Sequence, residues 1–544
     1  MRLSAASLPP SALPCIRRHP RHRPRRTRYP EESSAQPWPS HNRTCSMTTL
    51  EHTPACRTKE TGAPSPAETA VAHGTTTPKG LFLQDAAAHV ADIDHRSFVR
   101  SALGGYYKSR DAQKARYRDW EHARDAASLA KWSAVNRLDS LLEQFVANFE
   151  ARGGRVHWAA NAEEARSIIL GLLRQANAKA IIKSKCMTSE EIHLNAALEE
   201  EGYGVVESDL GEFIQQLRGE PPYHFVFPCM HVRRDEISSL FHDNLGTEPT
   251  DSPEELTMIA RRHMRQLYVD ADVGITGANF LVAETGQLSI TENEGNARLT
   301  AALPKMHIAL VGIEKVVANL DDLSVLLPML ATAGAGQPMT CYNTLYSGPR
   351  QEGEADGPEE MHVVLLDNHR SAILADPEQR DSLHCIRCGA CLNVCPIFKN
   401  VGGFTYGTTY QGPIGSVITP HLRGLADWNH LSGASSLCGA CSDACPVRID
   451  IHHHLLHNRR NAARTAPSRL EKLAHRLFVM VAKRPWLFRI AGWIARHTMG
   501  LARRLKPPLV REWLASRDLP SPPAESFRAA WKRRQQSLSP QSSS

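Results

Sequence analysis

Two cysteine runs constrain this 544-residue chain more than anything else in it. The first reads Cys385-Ile-Arg-Cys388-Gly-Ala-Cys391-Leu-Asn-Val-Cys395-Pro396, and the second Cys438-Gly-Ala-Cys441-Ser-Asp-Ala-Cys445-Pro446. C-x2-C-x2-C-x3-C-P is the ligand spacing of bacterial ferredoxins: three thiolates on a tight turn converge on one iron–sulfur cluster, and the fourth cysteine ligates the other. The proline that follows ends the turn, since it cannot continue a helix. Zinc sites usually pair their ligands two by two and disulfide frameworks belong to small secreted domains, so the spacing points to iron–sulfur.

The second run is a shortened copy of the first. With Cys445-Pro446 aligned on Cys395-Pro396, Cys441 and Cys438 fall on Cys391 and Cys388, and Ser435 falls where the first run has Cys385. Crossed ligation gives one cluster Cys385, Cys388, Cys391 and Cys445, and the other Cys395, Cys438 and Cys441. The second cluster thus lacks a fourth cysteine. Three explanations are open: a [3Fe–4S] centre, a non-cysteine ligand such as Ser435 or a nearby histidine, or an open iron site.

The other six cysteines (Cys15, Cys45, Cys56, Cys186, Cys229, Cys341) follow no spacing rule, which argues for a reducing, cytoplasmic setting. Residues 1–30 hold eight arginines and no acid; residues 459–511 hold fourteen Lys/Arg against Glu471 alone, which leaves the middle of the chain net acidic. Basic ends on an acidic body suit contact with a membrane surface or an acidic partner better than nucleic-acid binding. No stretch reaches 18 uninterrupted apolar residues, so no transmembrane helix is expected.

Residues 1–80 are rich in Pro, Arg, Ser and Thr without hydrophobic period and read as disordered. Residues 82–150 read as helical, with Leu138, Leu141, Leu142, Phe145 and Phe149 on one face. Strands and helices then alternate. Strands are expected at Val156–Ala159, Ala180–Lys183, Tyr203–Val206, His224–Phe227, Phe280–Val282, Gly286–Ile290, His307–Val311 and Met361–Leu366, and helices from Ala162, from Thr188, over Leu210–Leu217 and over 253–268. This is an α/β domain with a mainly parallel sheet. Its polar loops Gly274–Asn279 and Glu292–Arg298 are candidates to line a site, since ligands bind at the carboxyl ends of such strands. Cys186, between lysines 183 and 185 and Met187, reads as either a reactive thiol or a small buried side chain. G-x-G-x-x-G is absent, so no dinucleotide fingerprint is present.

Residues 331–358 read as a loop or linker. Between the cysteine runs, a glycine-rich crossing carries Tyr406 and Tyr410, expected to pack over a cluster or against the α/β body. Ile449–His457 begins a helix whose histidines are either solvated or metal-binding. Residues 468–505 form a basic amphipathic helix pair broken at Pro485, suited to a membrane surface, a partner or the chain's own body, and a short helix is expected at Phe527–Arg534.

His384–Pro396, Gly412-Pro-Ile-Gly415 and Leu437–Pro446, together with Ala271–Asn279 and Glu292–Asn296 in the body, resemble the lactate-utilisation protein B (LutB/LldF) family, iron–sulfur subunits with a lactate-utilisation (LUD) domain. The resemblance covers residues 82–534 and implies a LUD-type, CoA-transferase-like α/β domain followed by an α-helical ferredoxin-like module with two [4Fe–4S] clusters. The implied layout is a tail over 1–80, a helical region over 81–150, the LUD-like domain over 151–368, the cluster domain over 369–460, a basic helical region over 461–534 and a tail over 535–544. It also implies an electron-transfer subunit that oxidises L-lactate to pyruvate with a Cys-rich subunit and a small LUD-domain protein. Flavin or nicotinamide would sit on partners, and the electron acceptor is unspecified. Contact with the inner face of the membrane would be peripheral. Two other functions are compatible with the residues: a stand-alone 2-hydroxy-acid oxidoreductase with an open iron site, and an iron–sulfur redox sensor, which the acidic body and the lack of a helix-turn-helix signal disfavour.

Overall fold

The computed structural model describes residues 77–465, 469–505, 511, 514, 521 and 523–538. The reading of the amino-terminal tail therefore lies outside the described residues as far as residue 76.

Among the described residues, ten strands follow one another as β1 (Arg155–Ala159), β2 (Ala180–Lys183), β3 (Gly204–Glu207), β4 (Val273–Thr276), β5 (Phe280–Val282), β6 (Gln287–Glu292), β7 (Met306–Gly312), β8 (Val316–Val317), β9 (Tyr342–Tyr346) and β10 (Glu360–Leu366). Six form a parallel sheet in the order β1-β10-β7-β4-β2-β3, with Ile308 opposite His362 on one side and Ile275 on the other. β4 and β7 are buried along their whole length, as parallel strands covered on both faces must be. The helices that cover them start on side-chain caps: Asn161 accepts from the Glu164 amide, and Ser252 accepts from the Glu255 amide with Pro253 in the first turn. Ile169, Leu173, Ile275 and Ile308 fill one face, and Phe145, Phe149, Val311 and Val363 the other.

Three readings are corrected. First, β5 and β6 do not join the parallel sheet. They pair antiparallel in a second sheet of order β8-β5-β6-β9. Second, residues 331–358 are not all loop: a helix at Leu320–Ala335 runs into them and β9 pairs with β6. β9 is largely exposed and polar, so it lacks the apolar alternation by which a strand is read. Third, His224–Phe227 is not a strand. The Val226 and Phe227 amides donate to His224 Nδ1 at 3.0 and 3.2 Å, so the side chain takes the place of a ladder partner.

Helices Pro78–Ala91, Ile93–Lys114 and Trp120–Val135 pack with Leu320–Ala335 around the cysteine-bearing segment, in a core that includes Leu103, Leu326, Phe398, Tyr406 and Val417. The carboxyl-terminal helices Arg469–Ala482 and Pro485–Leu505 leave Leu477, Phe478, Trp486, Phe488 and Trp493 exposed. A further helix, Phe527–Leu538, runs four residues past its expected end. Among the described residues, no helix is long and apolar enough to cross a membrane.

Candidate functional site

The two cysteine loops share one backbone. Arg387 and Leu437, each just before a cysteine, sit in the left-handed region at φ 59° and 55°. Gly389 and Gly439, each just after it, sit at 75° and 83°. Helices Ala390–Val394 and Ala440–Ala444 follow, and Cys395 and Cys445 close the loops at ψ 120° and 119°. Alternating left-handed residues curl the chain so that its thiols turn inward. A non-glycine residue in this region costs about 1 kcal/mol, and its recurrence at the same place in both loops marks a shape held for use.

The loops interlock. Cys385, Cys388 and Cys391 line one small cavity together with Cys445 from the second loop, walled by Ile386, Ile414, Val447 and Ile449. Cys395 of the first loop lies within electrostatic reach of Cys438, and Cys441 of both. Amides are aimed at the sulfurs: Arg387 N–H donates to Cys385 Sγ at 3.4 Å and Ile449 N–H to Cys445 Sγ at 3.3 Å. Burial and neighbouring thiolates push Cys445 up to about 11 and Cys441 up to about 12. Such converging sulfurs hold their protons until a cation takes the protons' place, which is the donor chemistry of an iron–sulfur site.

The two loops are walled differently. Gly334, in the Leu320–Ala335 helix, lies so near the first loop that a Cβ there would stand 2.7 Å from the Cys388 carbonyl oxygen. Buried His224 meets Asn393 through its Nε2 at 3.1 Å, and Asn393 donates to the Gly334 carbonyl at 3.2 Å. A chain of charges then ties this loop to the α/β domain. Arg370 bonds Glu191 at 2.7 Å and Glu314 at 2.6 Å, Arg387 meets Glu314 at 3.4 Å, and Tyr410 donates to Glu191 at 2.6 Å. The Arg387 guanidinium lies 4.5 Å from the centre of the Tyr410 ring. Burial opposes ionisation of Glu314, yet Arg370 and Arg387 hold its carboxyl down at about 2. The second loop is held from below: Arg124 donates to the Cys445 carbonyl at 3.0 Å and the Ser442 carbonyl at 3.2 Å.

Ser435 is half-buried, and its Oγ accepts from the Leu437 amide at 3.2 Å. The histidines named as alternatives are each held through Nδ1, which leaves their Nε2 atoms open. His452 Nδ1 meets Ser442 Oγ at 2.7 Å and Asp450 at 2.9 Å, His453 bonds Asp450, and His454 bonds the Glu378 carbonyl at 2.8 Å.

A cavity of about 580 Å³ opens between the α/β domain and the first loop. Both polar loops singled out in the sequence reach it, through Gly277–Asn279 and Glu292–Asn296; so do the segment after β2, and Arg387 and Cys388 of the cluster module. It therefore lies at the carboxyl ends of parallel strands. Lys315 lines it while only 8% exposed, and its ammonium has no hydrogen-bond or ion-pair partner among the described residues. Burial and nearby Arg387 lower it to about 8. Burial, with Asp209 beside it, raises Glu294 to about 7. Cys186 also lines the cavity, but it caps the Met187–Glu191 helix by accepting from the Ser189 amide at 3.4 Å, and burial raises its thiol. It serves as a small buried cap. Lys315, Glu314 and Arg370 were missed in the sequence. The available signal was a pair of charges placed directly after the apolar strand β7.

Three family models match the chain: the LUD domain over residues 142–366, the 4Fe-4S dicluster domain over 381–449, and the lactate utilisation protein B carboxyl-terminal region over 452–536. Lactate utilization protein B of Bacillus velezensis is 44% identical over 451 residues, covering 80% of this chain and 94% of that protein. An uncharacterized electron transport protein of Escherichia coli K12, YkgF, is 41% identical over 422 residues, covering 76% and 89%. A crystal structure of a DUF162 family protein from Deinococcus radiodurans aligns with 42% of this chain and 98% of its own, at 15% identity and a TM-score of 0.24.

Proposed function

The chain belongs to the lactate utilization protein B family, and on that premise we propose that it is the iron–sulfur electron-transfer subunit of a complex that oxidises L-lactate to pyruvate. Cys385, Cys388, Cys391 and Cys445 hold one [4Fe–4S] cluster, and Cys395, Cys438 and Cys441 hold another. The observation that carries this is the interlocking of the loops: Cys391 of the first set lies within electrostatic reach of Cys441 of the second. Lactate oxidation releases two electrons and two protons, and when bound each cluster takes one electron at a time.

The protein's own part is to position and insulate. Amides aimed at Cys385 and Cys445 stabilise negative charge on sulfur. Arg387 places a cation beside the first set, which favours its more negative reduced state. Buried Tyr406, Phe398 and Ile414 keep water away. A Cys-rich subunit and a small LUD-domain protein supply the remaining parts, and the exposed apolar residues of the basic carboxyl-terminal helices serve peripheral contact with a partner or the inner face of the membrane.

A second reading is favoured by the cavity. It places a 2-hydroxy acid on this chain, its carboxylate gripped by Lys315 and Arg387 beside Cys388. One experiment separates the two: the anaerobically reconstituted chain is mixed with L-lactate, alone and with both partner proteins, and cluster reduction is followed by EPR. Reduction only with partners supports the relay, and reduction by the chain alone supports the second reading. No reduction in the complete mixture overturns both.

A further inference from the structure

We propose that Ser435 Oγ is the fourth ligand of the second cluster. The inference rests on the two-cluster reading and adds the atom that reading lacks.

The argument comes from the internal repeat. From Arg387 to Cys395 and from Leu437 to Cys445 the backbone passes through the same states in the same order: a left-handed non-glycine residue, a cysteine, a left-handed glycine and a five-residue helix, with an extended cysteine at the end. The match continues one step upstream, where the sequences part. In the first loop the Arg387 amide donates to Cys385 Sγ at 3.4 Å; in the second the Leu437 amide donates to Ser435 Oγ at 3.2 Å. Each bond runs from residue i+2 back to the side chain of residue i. Ser435 Oγ therefore holds, relative to its own loop, the place that Cys385 Sγ holds in the other.

Arg459 secures the approach by donating to the carbonyls of Ser432, Gly433 and Ser435, the last at 2.6 Å. His452 and His453 are held through Nδ1 by Asp450, and His452 also by Ser442, which leaves each Nε2 open; the choice of Ser435 over these rings rests on the repeat. As the oxygen–iron bond forms, the hydroxyl gives its proton to solvent, which half-buried Ser435 can reach, and no electron is transferred. An alkoxide is a harder donor than a thiolate and favours ferric over ferrous iron. The second cluster should therefore be harder to reduce than it would be with cysteine at this position.

The test uses the full chain, reconstituted anaerobically, as wild type, S435A, S435C and S436A. The expected results are about eight irons in wild type, S435C and S436A, and about seven in S435A with the EPR signal of an oxidised three-iron centre. S435C should also raise the midpoint potential of one cluster. If S435A loses the second cluster altogether, the decision passes to pulsed EPR on chain labelled with β-deuterated serine: a deuterium coupling to the reduced second cluster, lost in S435C, supports the ligand, and its absence in wild type overturns it. S435A with a full iron count and unchanged spectra also overturns it. Wild type holding only about four irons would instead sink the two-cluster reading beneath it.

Discussion

The two cysteine loops differ less in themselves than in what lies over them. A Cβ on Gly389 would stand 2.8 Å from Val226 Cγ2 and 3.0 Å from His224 Cε1, whereas a Cβ on Gly439 would meet nothing within 4 Å. Cys388 is half-buried in the first loop, while its counterpart Cys438 is exposed; Cys391 and Cys441 are both buried. Arg387 stands in a chain of buried charges where its counterpart is the apolar Leu437. One backbone has thus been set in two electrostatic surroundings, one sealed under the α/β domain and cationic, the other near solvent. Two clusters with similar ligand geometry but unequal reduction potentials are the expected result, since charge and burial tune the potential while the loop fixes the ligands.

The sharpest way to break this comparison is to cut the charge chain. Arg370→Met leaves Glu191 and Glu314 buried without their shared cation and should cost about 3–5 kcal/mol, read as a lower urea midpoint. If the α/β domain seals only the first loop, iron should be lost first from the cluster held by Cys385 and its neighbours. Equal loss from both would show the loops to be one unit.

Acid probes the same chain more gently. Glu314 titrates at about 2 in the fold against an ordinary 4.5. Its folded value is depressed, so its contribution is complete above 4.5 and drains away as pH falls toward 2; the full amount is about 3 kcal/mol. Glu314→Gln should start less stable and show a flatter decline between about pH 5 and pH 3, followed by urea denaturation. A decline as steep as that of wild type would remove Glu314 from the account.

Glycine replacement compares the loops directly. Gly439→Ala meets only the left-handed penalty of about 1 kcal/mol. Gly389→Ala meets that penalty and an overlap with Val226 that adds about 1–3 kcal/mol. The ratio of iron retained on dilution should follow the same order. The smallest effect is the most informative electrically: exchanging Arg387→Leu with Leu437→Arg should lower one midpoint potential and raise the other by on the order of 50 mV, equivalent to about 1 kcal/mol of partly screened charge interaction. Unchanged potentials would mean that burial alone sets the difference.

Much of this arrangement was legible in the sequence because it is local. Cysteine spacing, the glycines that allow a left-handed turn and the proline that ends it act within a dozen residues. Buried apolar runs made β2, β7 and β10 readable, and both polar loops do reach the cavity, although the first of them begins inside the buried strand β4. His224–Phe227 was misread because a histidine ring can satisfy the same amides that a neighbouring strand would, and β9 because an exposed polar strand carries no apolar period.

The sequence alone determined that seven thiols would be offered on two copies of one turn, and that the second copy would carry serine where the first has cysteine. Only the tertiary structure decided that Lys315 would stand in a cavity beside Arg387 without an ion-pair partner among the described residues, that Arg370 would join Glu191 to Glu314 across 179 and 56 positions of chain, and that one loop's glycine turn would be covered while the other's stays open. The reason is range. Backbone state and ligand spacing follow from residues within a turn of each other, whereas burial and charge pairing depend on segments that meet only when the sheet and helices have packed.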